Sequence, residues 1–295
     1  MYSVTLIGLG RMGKALARAL PQAKYRVDAL VVRRKKNWCD DNPDRADDKR
    51  VLELGELDAI DADIVILTTQ DSEIGPAARM IKPLIRGSKF IFHTSGSLSS
   101  SVLEPLARAD FHIGSIHPLV SVSGSEARPN LFENVNICVE GDSVSVEVAN
   151  EIATDLGGFP FEISTFKKSL YHAAAVMASG HLVALIDAAT TMIRDCVAEE
   201  IDAGRLLEPL IQSTISNIGN SGINGSLTGP FARGDVQTVE SNLAAIARLD
   251  DENLTQIYSA LGERACRISA ENGKARESIE LIRKLLSMAI SNPEC

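Results

Sequence analysis

Three glycines near the amino terminus have the spacing of a phosphate-binding turn. They lie in the run Gly8-Leu9-Gly10-Arg11-Met12-Gly13, which directly follows the apolar residues Val4–Ile7 and begins a helical pattern. In such a turn the first glycine permits the bend, the second lets the backbone approach a pyrophosphate, and the third lets helix and strand pack closely. Because the helix N-terminus adds free N–H groups and a positive dipole end, we expect residues 8–13 to bind a dinucleotide. The alternative is a glycine-rich turn that binds nothing.

Two arginines stand where a dinucleotide-binding chain contacts the adenosine ribose. The apolar run Val27–Val32 ends about 20 residues beyond the last glycine, where an NAD site has an Asp or Glu for the ribose 2′-hydroxyl. This chain has Arg33 there, followed by Arg34. Since a guanidinium binds a 2′-phosphate, the pattern favours NADP(H) over NAD(H). The alternative is a solvated run of charge after a strand.

Polar residues follow three further apolar runs, at what would be the same edge of a parallel sheet. Thr69 and Gln70 could line the ribose or nicotinamide, or form an ordinary turn into a helix. Ser95 and Ser97 could donate to a substrate carbonyl or carboxylate, or cap the next helix. His117 has the side-chain type whose pKa suits proton donation near neutrality, although it could also merely order a loop.

The second half of the chain offers two more polar pairs. Lys168 and His172 are four residues apart, so they would share one face of a helix; a solvated pair of Lys167 and Lys168 is the alternative. Thr228 and Arg233 lie in a loop rich in Gly and Pro and are suited to holding a carboxylate, unless Arg233 only braces that loop. No cluster of His, Asp and Glu has the spacing of metal ligands, so we expect no metal.

The elements that must position these residues divide the chain into two parts. Residues 1–164 alternate apolar runs with helical patterns, which predicts an α/β domain with a Rossmann-like, doubly wound parallel sheet. Residues 165–295 have apolar residues at spacings of three and four, which predicts an all-α C-terminal domain. The runs that predict strands are Val4–Ile7, Val27–Val32, Ile64–Thr68, Phe90–Phe92, Ile113–Ile116, Val135–Val139 and Phe159–Ile163.

Helices and loops are predicted between and after these strands. In the first part the helical patterns are Arg11–Leu20, Ser72–Leu84 and Ser99–Arg108. In the second they are Leu170–Val197, Leu206–Ile218, Val236–Leu249, Leu254–Ile268 and Ser278–Ile290. Charge, Gly and Pro predict loops over Asn37–Arg50, His117–Asn130 and Gly219–Gly234.

Composition narrows the possible partners and location. With 30 basic and 39 acidic residues the net charge is −9, which argues against nucleic acid as the main partner. Five cysteines, an odd number without a CxxC pair, argue against a disulfide framework. The longest mainly apolar stretch, Ala173–Ile186, has 14 residues, whereas a membrane span needs ~20, so we expect a buried helix. The default location is the cytoplasm.

Several runs taken together resemble a known family. The runs GLGRMG, HTSGSLSSSVLEPL, SIHPL, KSLYHAAAVMASGH and LTGPFARGD are similar to those of a bacterial family that joins a Rossmann-like domain to a helical C-terminal domain of unassigned function. The resemblance covers nearly the whole chain. That family belongs to a larger group whose helical domain resembles that of 6-phosphogluconate dehydrogenase and which includes ketopantoate reductase, pyrroline-5-carboxylate reductase and prephenate dehydrogenase.

The resemblance implies roles for individual residues. His117-Pro118 looks like the His-Pro of prephenate dehydrogenases, in which the histidine contacts the reacting oxygen. Lys168 and His172 resemble the Lys-x-x-x-Asn of β-hydroxyacid dehydrogenases and ketopantoate reductase, in which the lysine protonates or polarises the carbonyl oxygen; here His replaces Asn. The loop of Thr228 and Arg233 looks like the Ser-Pro-Gly loop of pyrroline-5-carboxylate reductases.

These observations predict an NADPH-dependent reductase of a small keto or imino acid that carries a carboxylate, similar to ketopantoate reductase. His117, Lys168, His172 and Ser95 are the predicted catalytic residues, and the predicted substrate contacts are Ser97, Thr228 and Arg233. The alternatives are chemistry of the pyrroline-5-carboxylate reductase or prephenate dehydrogenase type, and a non-catalytic NADP(H)-binding protein. By analogy with related enzymes, the helical domain is expected to form a homodimer, with no nucleic acid or membrane as partner.

Overall fold

The computed structural model divides the chain into two compact units, Met1–Ser179 and Gly180–Cys295. It describes residues 1–41, 48, 50–87, 89–108, 110–122, 130–273 and 276–291. The boundary between the two units lies 15 residues beyond the predicted domain boundary, which falls between residues 164 and 165. The reason is that the helix beginning at Lys168 packs into the first unit, where the Lys168 ammonium is buried against Ser115.

The first unit contains a twisted sheet of eight strands within the described residues. The strands are β1 (Tyr2–Ile7), β2 (Tyr25–Val32), β3 (Val51–Glu53), β4 (Ile64–Leu67), β5 (Phe90–His93), β6 (His112–Pro118), β7 (Asn136–Gly141) and β8 (Phe159–Glu162). Their order across the sheet is β3-β2-β1-β4-β5-β6-β7-β8. The chain therefore runs outward from β1 in one direction and then outward from β4 in the other. This reversal confirms the predicted doubly wound, Rossmann-like fold.

Helices cover both faces of this sheet, as a parallel sheet of apolar strands requires. The helices of the first unit are α1 (Arg11–Ala19), α2 (Lys35–Asp41), α3 (Asp71–Ile81), α4 (Ser143–Asp155) and α5 (Lys168–Ala178). Alternate strand residues enter opposite cores: Leu6 lies in the core that includes Leu16 of α1, whereas Ile7 lies in the core that includes Ile74 of α3. The period-two alternation of side chains thus explains why every residue from Ile64 to Leu67 is buried.

Four features of the first unit differ from the sequence predictions. β6 and β7 pair antiparallel, whereas a parallel sheet was predicted. α2 covers the start of the predicted loop Asn37–Arg50, and residues 42–47 and 49 of that loop lie outside the described residues. The predicted helix Ser99–Arg108 is a 3-10 helix over Ser100–Leu106, in which Pro105 cannot donate to an α-helical turn. His117 and Pro118 belong to β6 rather than to a loop, and residues 123–129 of that predicted loop are not described.

Two elements of the first unit were not predicted at all. β3 is only three residues long. α4 contains Val144, Val146 and Val148, whose alternation imitates a strand. The signal for a helix was present in Asp142, whose carboxylate accepts hydrogen bonds from the N–H groups of Val144 and Ser145 at the helix N-terminus.

The second unit is helical throughout its named elements, which confirms the all-α prediction. Its helices are α6 (Gly180–Cys196), α7 (Ala203–Ser226), α8 (Gly229–Arg233), α9 (Val236–Ile246), α10 (Glu252–Glu271) and α11 (Arg276–Ser291). Val239, Cys266, Ile282 and Leu286 form the centre of its apolar core. The predicted loop over Gly219–Gly234 is instead the end of α7, broken at Gly222, followed by the short helix α8.

The long predicted helix over Leu170–Val197 is two helices, because the backbone leaves the helical region at Ser179. The expectation that Ala173–Ile186 is buried is wrong for a single chain: Met177 and Val183 are exposed by 66% and 68%. By length and composition alone, Thr165–Cys196 is apolar enough to cross a membrane, with a mean hydropathy of 1.5 over its best window. Only 11% of that window is buried among the described residues.

Candidate functional site

The glycine turn lies at the point where the sheet order reverses, between β1 and β4. Gly8 has a φ of +99°, which favours glycine, and a Cβ there would lie 2.8 Å from Thr69 Cγ2. A Cβ on Gly13 would lie within 2.6 Å of Thr68 Oγ1 and still closer to the carbonyl oxygen of Gly8. Both glycines therefore close the packing of α1 against the two strands, as the sequence predicted.

Gly10 differs from its two neighbours in the motif, because a Cβ there would meet no atom within 4 Å. Gly10 is also the N-cap residue directly before α1, and no side chain caps the helix N-terminus. The backbone N–H groups of this turn consequently face an open cradle beside the strands. An uncovered helix N-terminus in such a cradle fits the pyrophosphate of a dinucleotide.

The other residues of the motif take different places. The Leu9 side chain is in the apolar core and Met12 packs against that core, so these two can face a ligand only through their backbone. The exposed Arg11 donates from Nη1 to the carbonyl oxygen of Val122 at 2.8 Å. The arginine of the motif thereby connects the turn to the chain that follows β6.

Arg33 and Arg34 lie beside the cradle. The Gly8 N–H donates to the carbonyl oxygen of Val31 at 2.8 Å, which fixes the end of β2 next to the glycine turn. Arg33 and Arg34 follow Val31 by two and three residues, and both are exposed. The Glu53 carboxylate at the end of β3 accepts from the N–H of Lys35 at 2.6 Å. Two guanidinium groups are therefore available where the ribose of a dinucleotide would be recognised.

Thr69 and Gln70 follow β4 at the same edge. Gln70 is exposed and precedes α3 without capping it. The Thr69 Oγ1 atom is buried and has no hydrogen-bond partner among the described residues. A buried hydroxyl without a partner costs free energy, so an atom of a bound ligand would stabilise it here.

Ser95 and Ser97 shape the turn that follows β5. Ser95 Oγ accepts from the N–H groups of Ser97 at 3.1 Å and Leu98 at 3.0 Å. Ser97 Oγ donates to Asp71 at the start of α3. These bonds rigidify the loop and hold Gly96 at its apex. Ser95 thus orders the turn itself and does not cap the 3-10 helix that follows, whose N-cap residue is Ser99.

Two histidines face this loop. A Cβ on Gly96 would lie 2.6 Å from His172 Nδ1 and 2.7 Å from His117 Nε2, so the close approach of both rings requires glycine. The ring centroids of His117 and His172 are 6.3 Å apart. His172 Nδ1 is buried and has no partner within the described chain. Two imidazole nitrogens consequently converge on one small region above the loop.

His117 is held from its other side by Tyr171. The Tyr171 hydroxyl and His117 Nδ1 are 2.7 Å apart. Burial, and then the nearby Lys168 and His172, lower the pKa of His117 from its ordinary 6.5 to about 4. The ring is therefore neutral at pH 7, which corrects the expectation that it titrates near neutrality.

Lys168 is inside the first unit and not in solvent. Its ammonium is 1% exposed and donates to Ser115 Oγ at 2.6 Å, whereas the adjacent Lys167 is exposed. Burial lowers the pKa of Lys168. The buried Glu140 carboxylate lies on the neighbouring strand and accepts from the Ser100 N–H at 2.6 Å and the Thr165 hydroxyl at 2.9 Å. Lys168 and Glu140 together bind α5 and the chain before it to the sheet.

Sequence reasoning missed Ser115, Cys138, Glu140 and Tyr171. The antiparallel register pairs Ser115 with Glu140 and His117 with Cys138. The side chains of these two residue pairs therefore lie on one face of β6 and β7. Lys168 and Tyr171 of α5 cover that face. The available signal was polar residues two apart in both strands, a spacing that puts them on the same side of a sheet.

The structure does not bring all predicted residues into this arrangement. Thr228 and Arg233 belong to the second unit, where Arg233 lies 3.6 Å from Asp235 and is exposed. Asp235 also accepts from Thr238 at the start of α9, so the ion pair fixes the turn between α8 and α9. Among the described residues, no group of three His, Cys, Asp or Glu side chains could hold a metal ion.

Comparisons with known proteins agree with this architecture. Residues 1–118 match the model of a Rossmann-like domain, and residues 135–265 match a domain of unknown function (DUF2520). No match to the chain was found among curated proteins. The second model begins at β7, so the strands and helix that carry Cys138, Glu140 and Lys168 fall within it.

Solved structures share the fold over most of the chain. Protein TM1727 from Thermotoga maritima is 22% identical, with a TM-score of 0.71 over 92% of this chain and 100% of its own. Protein BF3122 from Bacteroides fragilis, a candidate NADP oxidoreductase, is 20% identical, with a TM-score of 0.69 over 90% and 97%. The 1-pyrroline-5-carboxylate reductase from Streptococcus pyogenes is 17% identical, with a TM-score of 0.56 over 91% and 98%. The chain is thus similar in residues 1–118 to a Rossmann-like domain and in residues 135–265 to a DUF2520 domain.

Proposed function

We propose that this protein is an NADPH-dependent reductase of a small keto or imino acid that carries a carboxylate. The observation that carries the proposal is that one sheet edge holds both an open glycine cradle at Gly10 and two imidazoles that converge above Gly96. The register of β1, β4, β5 and β6 sets these features on neighbouring strands. A dinucleotide lying along the carboxyl ends of the strands would reach from the first feature to the second.

The cofactor proposal is NADP(H), with Gly10 at the pyrophosphate, Arg33 and Arg34 at the 2′-phosphate, and Thr69 and Gln70 at the ribose or nicotinamide. The nicotinamide supplies or accepts a hydride when it is bound. Among proteins of the same fold, the pyrroline carboxylate reductase of Plasmodium falciparum was crystallised with NADP bound. The unpartnered Thr69 hydroxyl and the exposed arginines of this chain support the same cofactor class here.

His117 is the proposed hydrogen-bond donor to the substrate's oxygen or nitrogen. A neutral imidazole polarises a carbonyl by donating one hydrogen bond, and the buried surroundings strengthen that bond. His172 is the proposed second contact, since its Nδ1 atom lacks a partner in the described chain. We assign Lys168 to anchoring α5, because its buried ammonium donates to Ser115 of β6. Ser95 and Ser97 shape the loop, and Thr228 and Arg233 stay proposed contacts for the carboxylate.

The first prediction concerns the choice of cofactor. NADPH should bind more tightly than NADH, and Arg33→Asp should weaken NADPH binding by about tenfold or more, because a charge-assisted bond to phosphate is replaced by repulsion. Gly10→Ala should weaken both nucleotides, since its methyl group would occupy the open cradle. Isothermal titration measures both effects. Arg79→Asp, the same charge change at an exposed position of α3, is the control and should bind normally. Equal affinity of the wild type and Arg33→Asp for NADPH would contradict the assignment.

The second prediction concerns the reaction. With NADPH present, ketopantoate, pyrroline-5-carboxylate or another small keto or imino acid should be reduced, as followed by loss of NADPH absorbance. His117→Ala should lower kcat on the active substrate by about 100-fold, the usual range for loss of an acid–base or polarising group. His181→Ala is the control, because that histidine is exposed on α6. Full turnover in His117→Ala would refute the role of His117.

The substrate panel also separates the alternatives. Reduction of pyrroline-5-carboxylate alone would place the protein with the reductases of that imino acid, and oxidation of prephenate would place it with the prephenate dehydrogenases. Binding of NADPH without reduction of any keto or imino acid would support a non-catalytic nucleotide-binding protein. We propose a cytoplasmic location, where NADPH and such acids are found.

The assembly we propose is a homodimer formed through α7. Residues 212–225 of this helix are all exposed, including Ile215, Ile218 and Ile223. Between Glu208 and Arg233 the sequence carries no charged residue. An isolated helix with this much uncovered apolar surface is unstable in water. We infer that a second copy of the chain covers this surface. Each chain has a net charge of −9, but the segment between Glu208 and Arg233 carries none of it, so two copies can pack here without opposing or burying a charge.

The third prediction tests this assembly. Sedimentation at micromolar concentration should give a dimer for the wild type and a monomer for Ile215→Asp/Ile218→Asp, because the two introduced carboxylates would face each other in the interface. The control is Met80→Asp, which places a carboxylate on a similarly exposed apolar residue of α3 and should leave the dimer intact. A monomeric wild type would overturn the proposal. If that monomer also pelleted with anionic or neutral lipid vesicles, the surface would be assigned to a membrane.

A further inference from the structure

Tyr171 is the residue of the site that has no role in the chemistry proposed so far. Its ring packs edge-on against His117, with 5.6 Å between the centroids, and against Phe161, with 6.0 Å between the centroids. Its hydroxyl is 2.7 Å from His117 Nδ1. The Cys138 thiol also lies within hydrogen-bonding reach of that hydroxyl. Tyr171 therefore stands between a thiol and an imidazole in a chain of three polar groups.

We propose that Tyr171 is a positioning residue whose hydroxyl donates to His117 Nδ1 and so keeps the ring proton on Nε2, the nitrogen that faces Gly96. This inference rests on the proposed function only in giving that Nε2–H group a substrate to bind. The hydrogen bond and the tautomer themselves are properties of the protein without substrate.

The direction of the hydrogen bond follows from the protonation of its neighbours. Burial raises the pKa of Tyr171 and of Cys138, so hydroxyl and thiol both keep their hydrogens at pH 7. His117 is neutral and has one nitrogen that donates and one that accepts. The Tyr171 hydroxyl, the Cys138 thiol and the His117 imidazole thus each have one hydrogen that they can donate.

Two arrangements are available, and they differ in strength. In the first, the Cys138 thiol donates to the Tyr171 oxygen, and the hydroxyl donates to the strong acceptor Nδ1. In the second, Nδ1–H donates to the Tyr171 oxygen, and the hydroxyl is left with sulfur, a weak acceptor. The first arrangement gives the strongest donor the strongest acceptor, and it is the one that leaves a hydrogen on Nε2.

The consequence for the site is a hydrogen-bond donor on the His117 nitrogen that faces the loop of Gly96. Gly96 has no side chain, and a Cβ there would lie 2.7 Å from His117 Nε2. A substrate oxygen that reached Nε2 and developed negative charge would accept from Nε2–H without any prior change of tautomer. The orienting group that sets which nitrogen of a catalytic histidine carries the proton has large effects on turnover in other enzymes.

The fourth prediction tests the tautomer directly in the full-length protein. Nitrogen-15 NMR of the histidine side chains at pH 7, with the His117 signals identified by their loss in His117→Ala, should show the Nε2–H tautomer in the wild type. In Tyr171→Phe the signals should shift to a mixture of tautomers, and the pKa of His117 should rise, because a bond that stabilised the neutral ring is lost. Tyr258→Phe removes a hydroxyl that contacts Asn242 in the second unit, and it should leave His117 unchanged.

The result that overturns the proposal is an Nδ1–H tautomer in the wild type, or a His117 spectrum that Tyr171→Phe does not alter. The wild-type spectrum decides which tautomer is present even if the variant does not fold. Folding of the first unit in the variant is checked by the fluorescence of Trp38, because Trp38 is the single tryptophan. Once a substrate is known, Tyr171→Phe should lower kcat by about tenfold or more and leave NADPH affinity unchanged. A normal tautomer with no turnover on any acid would refute the reductase proposal and leave the positioning role intact.

Discussion

The buried hydrogen bond from the Lys168 ammonium to Ser115 is the contact on which the arrangement of the site depends. An ammonium inside a protein is costly unless it is hydrogen-bonded, so this contact fixes the first turn of α5 against β6. Tyr171 and His172 follow within one turn of the same helix and are therefore carried to fixed places over the sheet. The position of the His172 imidazole relative to Gly96, and of Tyr171 against His117, follows from where that one lysine is bound.

Antiparallel pairing of β6 and β7 supplies the surface that receives α5. It sets Ser115 against Glu140 and His117 against Cys138, so one face of two strands carries four polar or thiol side chains. Each of them is used: Ser115 binds Lys168, Glu140 binds the chain that leads into α5, and His117 and Cys138 contact Tyr171. β4, which lies beside the glycine turn, is apolar and buried on both faces and gives the glycine cradle a rigid support. The nucleotide end of the proposed site thus lies beside an apolar strand, and the substrate end lies beside strands that carry polar side chains.

Much of this could be predicted from the sequence where one local pattern determines one structure. The strand before Gly8, the glycine turn and the helix after it are encoded within 20 residues, and the helical second unit follows from its spacing of apolar residues. The parts that could not be predicted depend on contacts between distant residues. Lys168 was expected to touch substrate because its type and spacing resemble those of other reductases, whereas its burial depends on Ser115, 53 residues earlier. The neutral state of His117 likewise depends on burial by elements far along the chain.

We propose that one nucleotide lies along the sheet edge with its phosphates at Gly10 and its nicotinamide at His117. The most direct test compares NADP⁺ with adenosine 2′,5′-bisphosphate, which lacks the nicotinamide half, by nitrogen-15 NMR of the protein. Both ligands should shift the backbone signal of Gly10, and only NADP⁺ should shift the side-chain signals of His117. Binding of NADP⁺ that leaves His117 unchanged, or equal shifts of His117 by both ligands, would contradict the account.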